Sequence, residues 1–348
     1  MDSPPLTPET LALARAWFEA QARPYPWSAT DDPYAIWISE VMLQQTVVTA
    51  AVAPFRSWMA RWPDLASLAA AEDDEVLRAW EGMGYASRAK NLHRAARALV
   101  SQGQTSLPGD EAQLRALPGV GEYTAAAILS FAFHRPALTL DANLKRVFQR
   151  LDGEAVWTPA VEARWRNLWS TLVDGPTSRA SNQAVMQLGQ RVCRARAPLC
   201  GSCPLAPGCA ARRDRATDRI PEPKVRLITE KATTVVFWYR VGPEDLWWLA
   251  RPTTGRFSNL WLAPPAPEGW PKAASRSRAL TVRVHTYTRY RDQLTPFAAG
   301  WTRASDPPLP PGWVGRWVSE PEARTLGMVS TYRRILDEAL SPHLEFSS

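Results

Sequence analysis

Cysteine is scarce in this sequence: 348 residues contain four, all of them between Cys193 and Cys209. A set confined to one short stretch is a poor way to staple a large fold through disulfides, but a natural way to hold a metal in a reducing compartment. Long apolar runs are missing as well. No stretch approaches the roughly 20 residues needed to cross a bilayer, and the opening MDSPPLTPET has neither the basic nor the apolar region of a signal peptide. The expectation is a soluble, intracellular protein. Acidic residues are in deficit, 34 Asp+Glu against 41 Lys+Arg, for a net charge of +7. That balance favours an anionic partner, with nucleic acid the leading candidate and plain surface solvation the competing reading.

What is present is the composition of an ordinary globular protein, 45% hydrophobic and 22% charged, in a chain longer than one average domain. Strand-like alternation is rare up to Cys209. Amphipathic helical segments run instead over Leu11 to Ala22, Tyr34 to Met59, Glu75 to Trp80, Arg88 to Val100 and Tyr123 to Phe133, with Pro63, Gly82, Pro108, Pro136 and Gly175 between or beyond them. Residues 212–231 are charged, carry Pro221 and Pro223, and read as a linker. Beyond it, Thr233 to Val241, Leu246 to Ala250, Leu280 to Tyr287 and Trp313 to Val318 have the β-branched and aromatic content of strands, and Thr331 to Leu340 reads as a closing helix. The expected architecture is an all-α first part followed by a mixed α+β domain, without internal repeats. Most of the 17 tryptophans are assigned to the core.

Two motifs carry chemistry. The cysteines Cys193, Cys200, Cys203 and Cys209 have the spacing C-x6-C-x2-C-x5-C, one compact loop in place of the two separated pairs usual for zinc. A 4Fe-4S cluster fits better, because a cubane presents an iron at each of four corners; zinc or free buried thiols are the alternatives. Arg191, Arg194, Arg196, Arg212 and Arg213 surround the loop, as contacts to phosphates would require. Upstream, Leu117-Pro118-Gly119-Val120-Gly121-Glu122-Tyr123-Thr124 lies between helical stretches. Glycines there let the backbone turn its N–H groups toward a phosphate at a helix start, although an isolated G-x-G is as well explained by a plain helix–turn–helix connection.

Together the cysteine loop and the glycine hairpin resemble the endonuclease III and MutY superfamily of DNA glycosylases, most closely the MutY adenine glycosylases. The resemblance spans nearly the whole chain, strongly to Cys209 and weakly beyond Lys231. It implies a multidomain protein. Residues 1–211 would be an all-α helix-hairpin-helix glycosylase, with a six-helix barrel at about 30–140 and a 4Fe-4S loop subdomain drawn from 1–29 and 141–211. Residues 232–348 would be an α+β Nudix-like domain that reads the opposite base. It resembles that reader most clearly at Arg251 to Leu262 and His285 to Tyr290, and no glutamate-rich metal-binding Nudix helix is present.

Breaking an N-glycosidic bond requires protonation of the leaving base and stabilisation of an oxocarbenium-like sugar, so two acids are sought. Glu40 borders a helical stripe of Trp37, Val41, Val48 and Val52, where partial desolvation raises a carboxyl pKa; a solvated helix edge is the plainer reading of periodicity alone. Ser39 to Thr46 is very similar to the MutY segment that holds the catalytic glutamate, and implies that Glu40 protonates the adenine and helps activate water. Asp141, read from sequence as an N-cap, stands where the superfamily keeps the aspartate that stabilises the cationic sugar, with Asn143 at the matching spacing and Ala142 in place of a common glycine. Tyr123 stands where strand-cleaving members have a Schiff-base lysine, which implies base removal by water without efficient strand cleavage.

The resemblance further assigns Gln44, Gln45 and Thr46 to the residues that enter the base stack, and Arg23 to Trp27 to the mouth of the adenine pocket. Tyr85 and Arg88 belong to a G-Y-Y-type run in which the second tyrosine, the wedge beside 8-oxoguanine, is Ala86. Tyr287, Thr288 and Arg289 fall in the segment that reads 8-oxoguanine, with Arg289 in place of its usual histidine. The implied partner is double-stranded DNA containing an adenine mispair, bound by a monomer in a bacterial cytosol or nucleoid. Alternatives left open are a related glycosylase for another mispaired base such as thymine, an endonuclease III-like glycosylase that also nicks, and a non-catalytic cluster-bearing DNA-binding module.

Overall fold

Helix caps punctuate the first half of the chain where apolar periodicity pauses. The computed structural model describes residues 5–21, 25–223, 230–241, 246–255, 257–266, 277–287, 290–301 and 305–341. In chain order these form α1 (Pro8–Glu19), α2 (Pro33–Leu43), α3 (Val48–Arg61), α4 (Leu65–Ala70), α5 (Asp73–Ala79), α6 (Ser87–Ser101), α7 (Glu111–Arg115), α8 (Glu122–Phe131), α9 (Ala142–Asp152), α10 (Pro159–Leu172), α11 (Gly175–Arg191) and α12 (Ala210–Arg213). They continue as strands β1 (Glu230–Val241), β2 (Leu246–Pro252), β3 (Ser277–Ala279), β4 (Arg283–Tyr287), β5 (Tyr290–Trp301) and β6 (Trp313–Ser319), then α13 (Glu320–Thr325) and α14 (Ser330–Ala339). Among the described residues no helix is long and apolar enough to cross a membrane.

Packing divides the chain into Met1–Ala69 with Arg94–Val225, and Ala70–His93 with Arg226–Ser348. The segment 70–93, placed in the first part from sequence, thus packs with the carboxy-terminal elements. Its Glu81 pairs with the buried Arg333 of α14 at 3.3 Å, and a Cβ on Gly327 would fall 2.4 Å from that of Leu77.

In the first unit, Asp32 caps α2 by accepting from the amides of Tyr34 and Ala35, with Pro33 preset for the first turn. Every residue from Tyr34 to Met42 is buried. The stripe expected along this helix is therefore a fully enclosed rod, and Glu40 lies inside rather than on a margin. The single helix expected over Tyr34 to Met59 is broken, because Gln44 is extended and Gln45 takes a left-handed φ of 59°. On α9, Leu144, Val147, Phe148 and Leu151 are buried as their spacing predicts. They meet Trp165 and Trp169 of α10 and Leu188 of α11 in one core, where the Phe148 and Trp165 rings stack at 4.0 Å. Gly153, at φ 79°, ends α9 in the left-handed turn that glycine adopts without strain.

The stretch read as a linker is tied down through residue 222. Ala216 and Ile220 are buried, Arg150 donates to the carbonyls of Thr217 and Ile220, and the Glu222 amide donates to the Ala155 carbonyl.

The second unit holds a mixed sheet in the order β3-β5-β1-β2-β6, with β4 also pairing β5. β1 and β5 run parallel over their whole length, and the other pairings are antiparallel. β5, twelve residues long, was not anticipated as a strand. Ile335 and Leu336 of α14 pack on Trp238, Leu249, Leu294 and Val318 in the main core of this unit. Gly315 passes under Trp248, where a Cβ would stand 2.4 Å from the ring.

Candidate active site

Helices α2, α8, α9 and α11 wall a cavity of about 710 Å³ in the first unit. It brings together Glu40, Tyr123, Asp141 and Asn143 with Trp27, Gln44, Gln45 and Thr46, residues that stand far apart in the chain. Glu40 is only 7% exposed, and the Tyr123 hydroxyl donates to its Oε2 at 2.9 Å. Burial pushes the Glu40 carboxyl up to about 7; the Tyr123 hydrogen bond and the nearby Arg179 cation oppose the rise, while Asp141 adds to it. Burial also lifts the Tyr123 phenol well above its ordinary value, so it remains a donor.

Asp141 caps α9, and its side chain is held by three N–H groups. Oδ1 accepts from the Asn143 and Leu144 amides at 2.8 and 2.7 Å, and Oδ2 from the Asn143 side chain at 2.6 Å. Burial raises its pKa, against these bonds and the Arg146 charge. The cap and the site residue are the same group. Burial thus raises both carboxyls, but Glu40 has one hydrogen-bond donor against it whereas Asp141 faces three N–H groups that favour its anion.

Residues not found from sequence complete the cavity. Gln183, Met186, Gln187 and Gln190 of α11 line it at helical spacing, a polar periodicity that was the available signal. The Oε1 of Gln187 is buried without a hydrogen-bond partner among the described residues. Arg146 donates to Asn143 Oδ1 at 2.9 Å, to the Gly189 carbonyl at 2.6 Å and to the Cys193 carbonyl at 2.8 Å, so α9 connects the cavity to the cysteine loop.

All four cysteines are partly buried and line one small pocket with Arg150, Pro198 and Arg212. The Arg150 Nη1 lies 3.3 Å from Cys193 Sγ. Among the described residues no group of three His, Cys, Asp or Glu side chains is placed to hold a single metal ion.

Other candidates lie elsewhere. Gly119, at φ 78°, turns the connection between α7 and α8, Val120 is buried within it, and Gly121 caps α8. Tyr85 is half-exposed with a left-handed φ of 46°, and with Ala86, Trp80, Phe257 and His285 lines a cavity of about 320 Å³ in the second unit. Arg88, assigned to the DNA-binding set from sequence, is 8% exposed and its Nη2 donates to the carbonyls of Met83 and Gly84, its pKa lowered by burial to about 10. Arg23, Thr288 and Arg289, and the Tyr287 side chain, lie outside the described residues.

Residues 38–170 match the family of HhH-GPD superfamily base excision DNA repair proteins. A Mycolicibacterium smegmatis protein named adenine DNA glycosylase is 35% identical over 251 residues, 68% of this chain and 85% of that protein. Human and mouse proteins of the same name are 38% and 39% identical over 57% and 56% of this chain, which spans only 38% and 40% of their lengths. The solved structure of a thermostable thymine-DNA glycosylase superposes with a TM-score of 0.55 at 26% identity, over 59% of this chain and 95% of that one. Endonuclease III in a non-covalent DNA complex does so at 0.51 and 23%, over 60% and 98%, a likeness of fold alone.

Proposed function

The chain belongs to the adenine DNA glycosylase family, and from that premise we propose that it hydrolyses the N-glycosidic bond of adenine mispaired with 8-oxoguanine or guanine in double-stranded DNA. The observation that carries the reading is the pair Glu40 and Tyr123, a buried carboxyl with a pKa of about 7 in hydrogen-bond contact with a phenol, inside a cavity that also holds Asp141. With the target nucleotide flipped into the cavity, protonated Glu40 gives its proton to a ring nitrogen of adenine. The bond between sugar and base then breaks with its electron pair leaving on a neutral base. Asp141 faces the cationic sugar. The Glu40 carboxylate now takes a proton from water, whose oxygen bonds to the sugar carbon, leaving free adenine and an abasic site. Tyr123 offers no amine for a Schiff base, so the strand stays intact. The buried, unpartnered Gln187 Oε1 suits an N–H donor such as the exocyclic amine of adenine.

The donor set of the cysteine loop fits a 4Fe-4S cluster: four partly buried thiols from one compact loop line one small pocket, with the Arg150 guanidinium beside Cys193. Cys193, Cys200, Cys203 and Cys209 would hold it, and when bound it supplies a structural and DNA-positioning element rather than the catalyst. The glycine hairpin would grip phosphate through its backbone. The second unit, with its mixed sheet backed by α14, would act as a Nudix-like reader of the opposite base, Ala86 leaving it without the usual wedge. The protein would act as a monomer in the bacterial cytosol or nucleoid.

The test is base release from duplexes carrying one A:8-oxoguanine, A:G, A:C, A:T or G:T pair, with alkali added afterwards to half of each sample. Alkali-dependent cleavage at adenine in the mispairs is expected. Cleavage only at thymine, or without alkali, or nowhere, would overturn the reading, and iron and sulfide contents lost in Cys203→Ser would report on the cluster.

A further inference from the structure

One cation beside the cavity has no part in the chemistry above. Arg179 of α11 has a side chain only 15% exposed, and its guanidinium reaches two separate segments. Nη2 donates to the carbonyls of Trp27 and Ser28 at 2.9 and 3.0 Å. Nη1 donates to the Thr30 carbonyl at 2.7 Å, to Asp31 Oδ1 at 3.0 Å and, at 3.4 Å, to the Phe131 carbonyl at the end of α8. Trp27, Ser28 and Phe131 line the cavity; Arg179 does not. The wall it grips is aromatic: the Tyr25 and Trp27 rings stack at 5.4 Å, and Phe55 meets Trp27 edge-on at 5.2 Å. Phe55 braces the Trp27 ring, while Arg179 holds the backbone of the same segment.

A planar fork of N–H groups spread over separate nitrogens reaches these five acceptors at once, whereas an ammonium offers three donors from a single atom on a flexible stem. The charge is costly here, since burial lowers its own pKa and Asp31, its carboxylate partner among the described residues, is 64% exposed. Resting on the function proposed above, we propose that Arg179 is a positioning residue, a staple that fixes the Trp27–Thr30 wall against α8 so that a flipped purine stacked on it presents its ring nitrogen to Glu40. Its charge reaches the same group. The charged or titratable groups acting on Glu40 are Tyr123 from α8, Asp141 ahead of α9 and Arg179 from α11, and the cation favours the carboxylate.

Arg179→Lys keeps the charge and loses the fork; Arg179→Met loses both. The cluster-loaded protein is assayed for single-turnover adenine release across pH and for affinity toward a duplex with a non-cleavable 2′-fluorinated adenine nucleotide. Both variants should lose about tenfold in saturating rate, as misplacement of reacting groups does, and both should bind the fluorinated duplex more weakly. The loss of rate at alkaline pH should stay in place for Arg179→Lys and move to higher pH for Arg179→Met. A lower melting temperature alone, with rate, affinity and pH profile per folded molecule at wild-type level, overturns the proposal; if Arg179→Met does not fold, rate and affinity of Arg179→Lys decide. Wild-type protein that releases no adenine would overturn the functional reading instead, whereas an active wild type with unchanged variants sinks only the staple.

Discussion

Removing the Tyr123 hydroxyl is the perturbation whose size follows most directly from the site. In Tyr123→Phe the ring still fills its place, but Glu40 Oε2 loses the donor at 2.9 Å. Burial is the largest influence on Glu40 and lifts it to about 7, and the Tyr123 bond is the largest opposing one. A hydrogen bond to a charged group contributes about 1.5–3 kcal/mol, and 1.36 kcal/mol corresponds to one pH unit, so the carboxyl should titrate about one to two units higher, between about 8 and 9. On the proposed mechanism Glu40 acts protonated, so the rate should fall as pH rises through its pKa. The alkaline fall of the single-turnover rate should therefore move upward by that amount. The assay follows adenine release from an A:8-oxoguanine duplex at saturating enzyme from about pH 5 to about pH 10. An alkaline limb that stays in place, or moves down, would refute the assignment of Glu40 as the acid held by Tyr123.

Glu40→Gln should stabilise the fold. A buried acid with a raised pKa costs nothing while both folded and unfolded chains keep the proton, below about 4.5, and its full penalty above about 7, here about 3 kcal/mol. The variant should therefore melt higher than wild type at pH 8 and by much less at pH 5; a lower melting temperature at pH 8 would contradict this. Arg150, 2% exposed, donates to the carbonyls of Arg194, Thr217 and Ile220 at 2.7 Å and Ala195 at 3.2 Å. Arg150→Met should cost about 3–5 kcal/mol in urea unfolding, and a loss under about 1 kcal/mol would be inconsistent with those bonds. A Cβ on Gly189 would stand 2.7 Å from Asn143 Cβ and 3.0 Å from its carbonyl. Gly189→Ala should push the start of α9 and lower the rate of adenine release by about tenfold or more; an unchanged rate would show that α9 yields without moving Asp141.

The residues gathered in the cavity were legible where contiguous strings carried them. Ser39 to Thr46 and Leu140 to Asn143 named Glu40 and Asp141, and the structure brings both to one wall with Tyr123. Local context that depends on tertiary packing was not legible. Periodicity ran through Gln44 to Val47, where a left-handed Gln45 breaks the helix, and it read Glu40 as marginal because it does not report that α2 is enclosed on all sides. β5 was hidden by Pro296, Gly300 and a polar start. Pro296 needs no N–H to serve the sheet, since its carbonyl accepts from the Leu280 amide. Arg179 gave no signal, because its meaning lies in the carbonyls of Trp27 to Thr30, about 150 positions away along the chain. The burial of Arg88, whose Nη2 donates to the carbonyls of Met83 and Gly84, was equally invisible in the motif that carried it.

The central claim is that Glu40 delivers the proton that frees adenine. Single-turnover release of free base from an A:8-oxoguanine duplex, wild type beside Glu40→Gln, tests it most directly when duplex binding is measured in parallel. The account predicts adenine release and an alkali-labile site with the wild type, and a loss of about 10²–10⁴ in rate with undiminished binding in the variant. Equal rates in the two proteins, or no adenine from a wild type that binds the duplex, would contradict it.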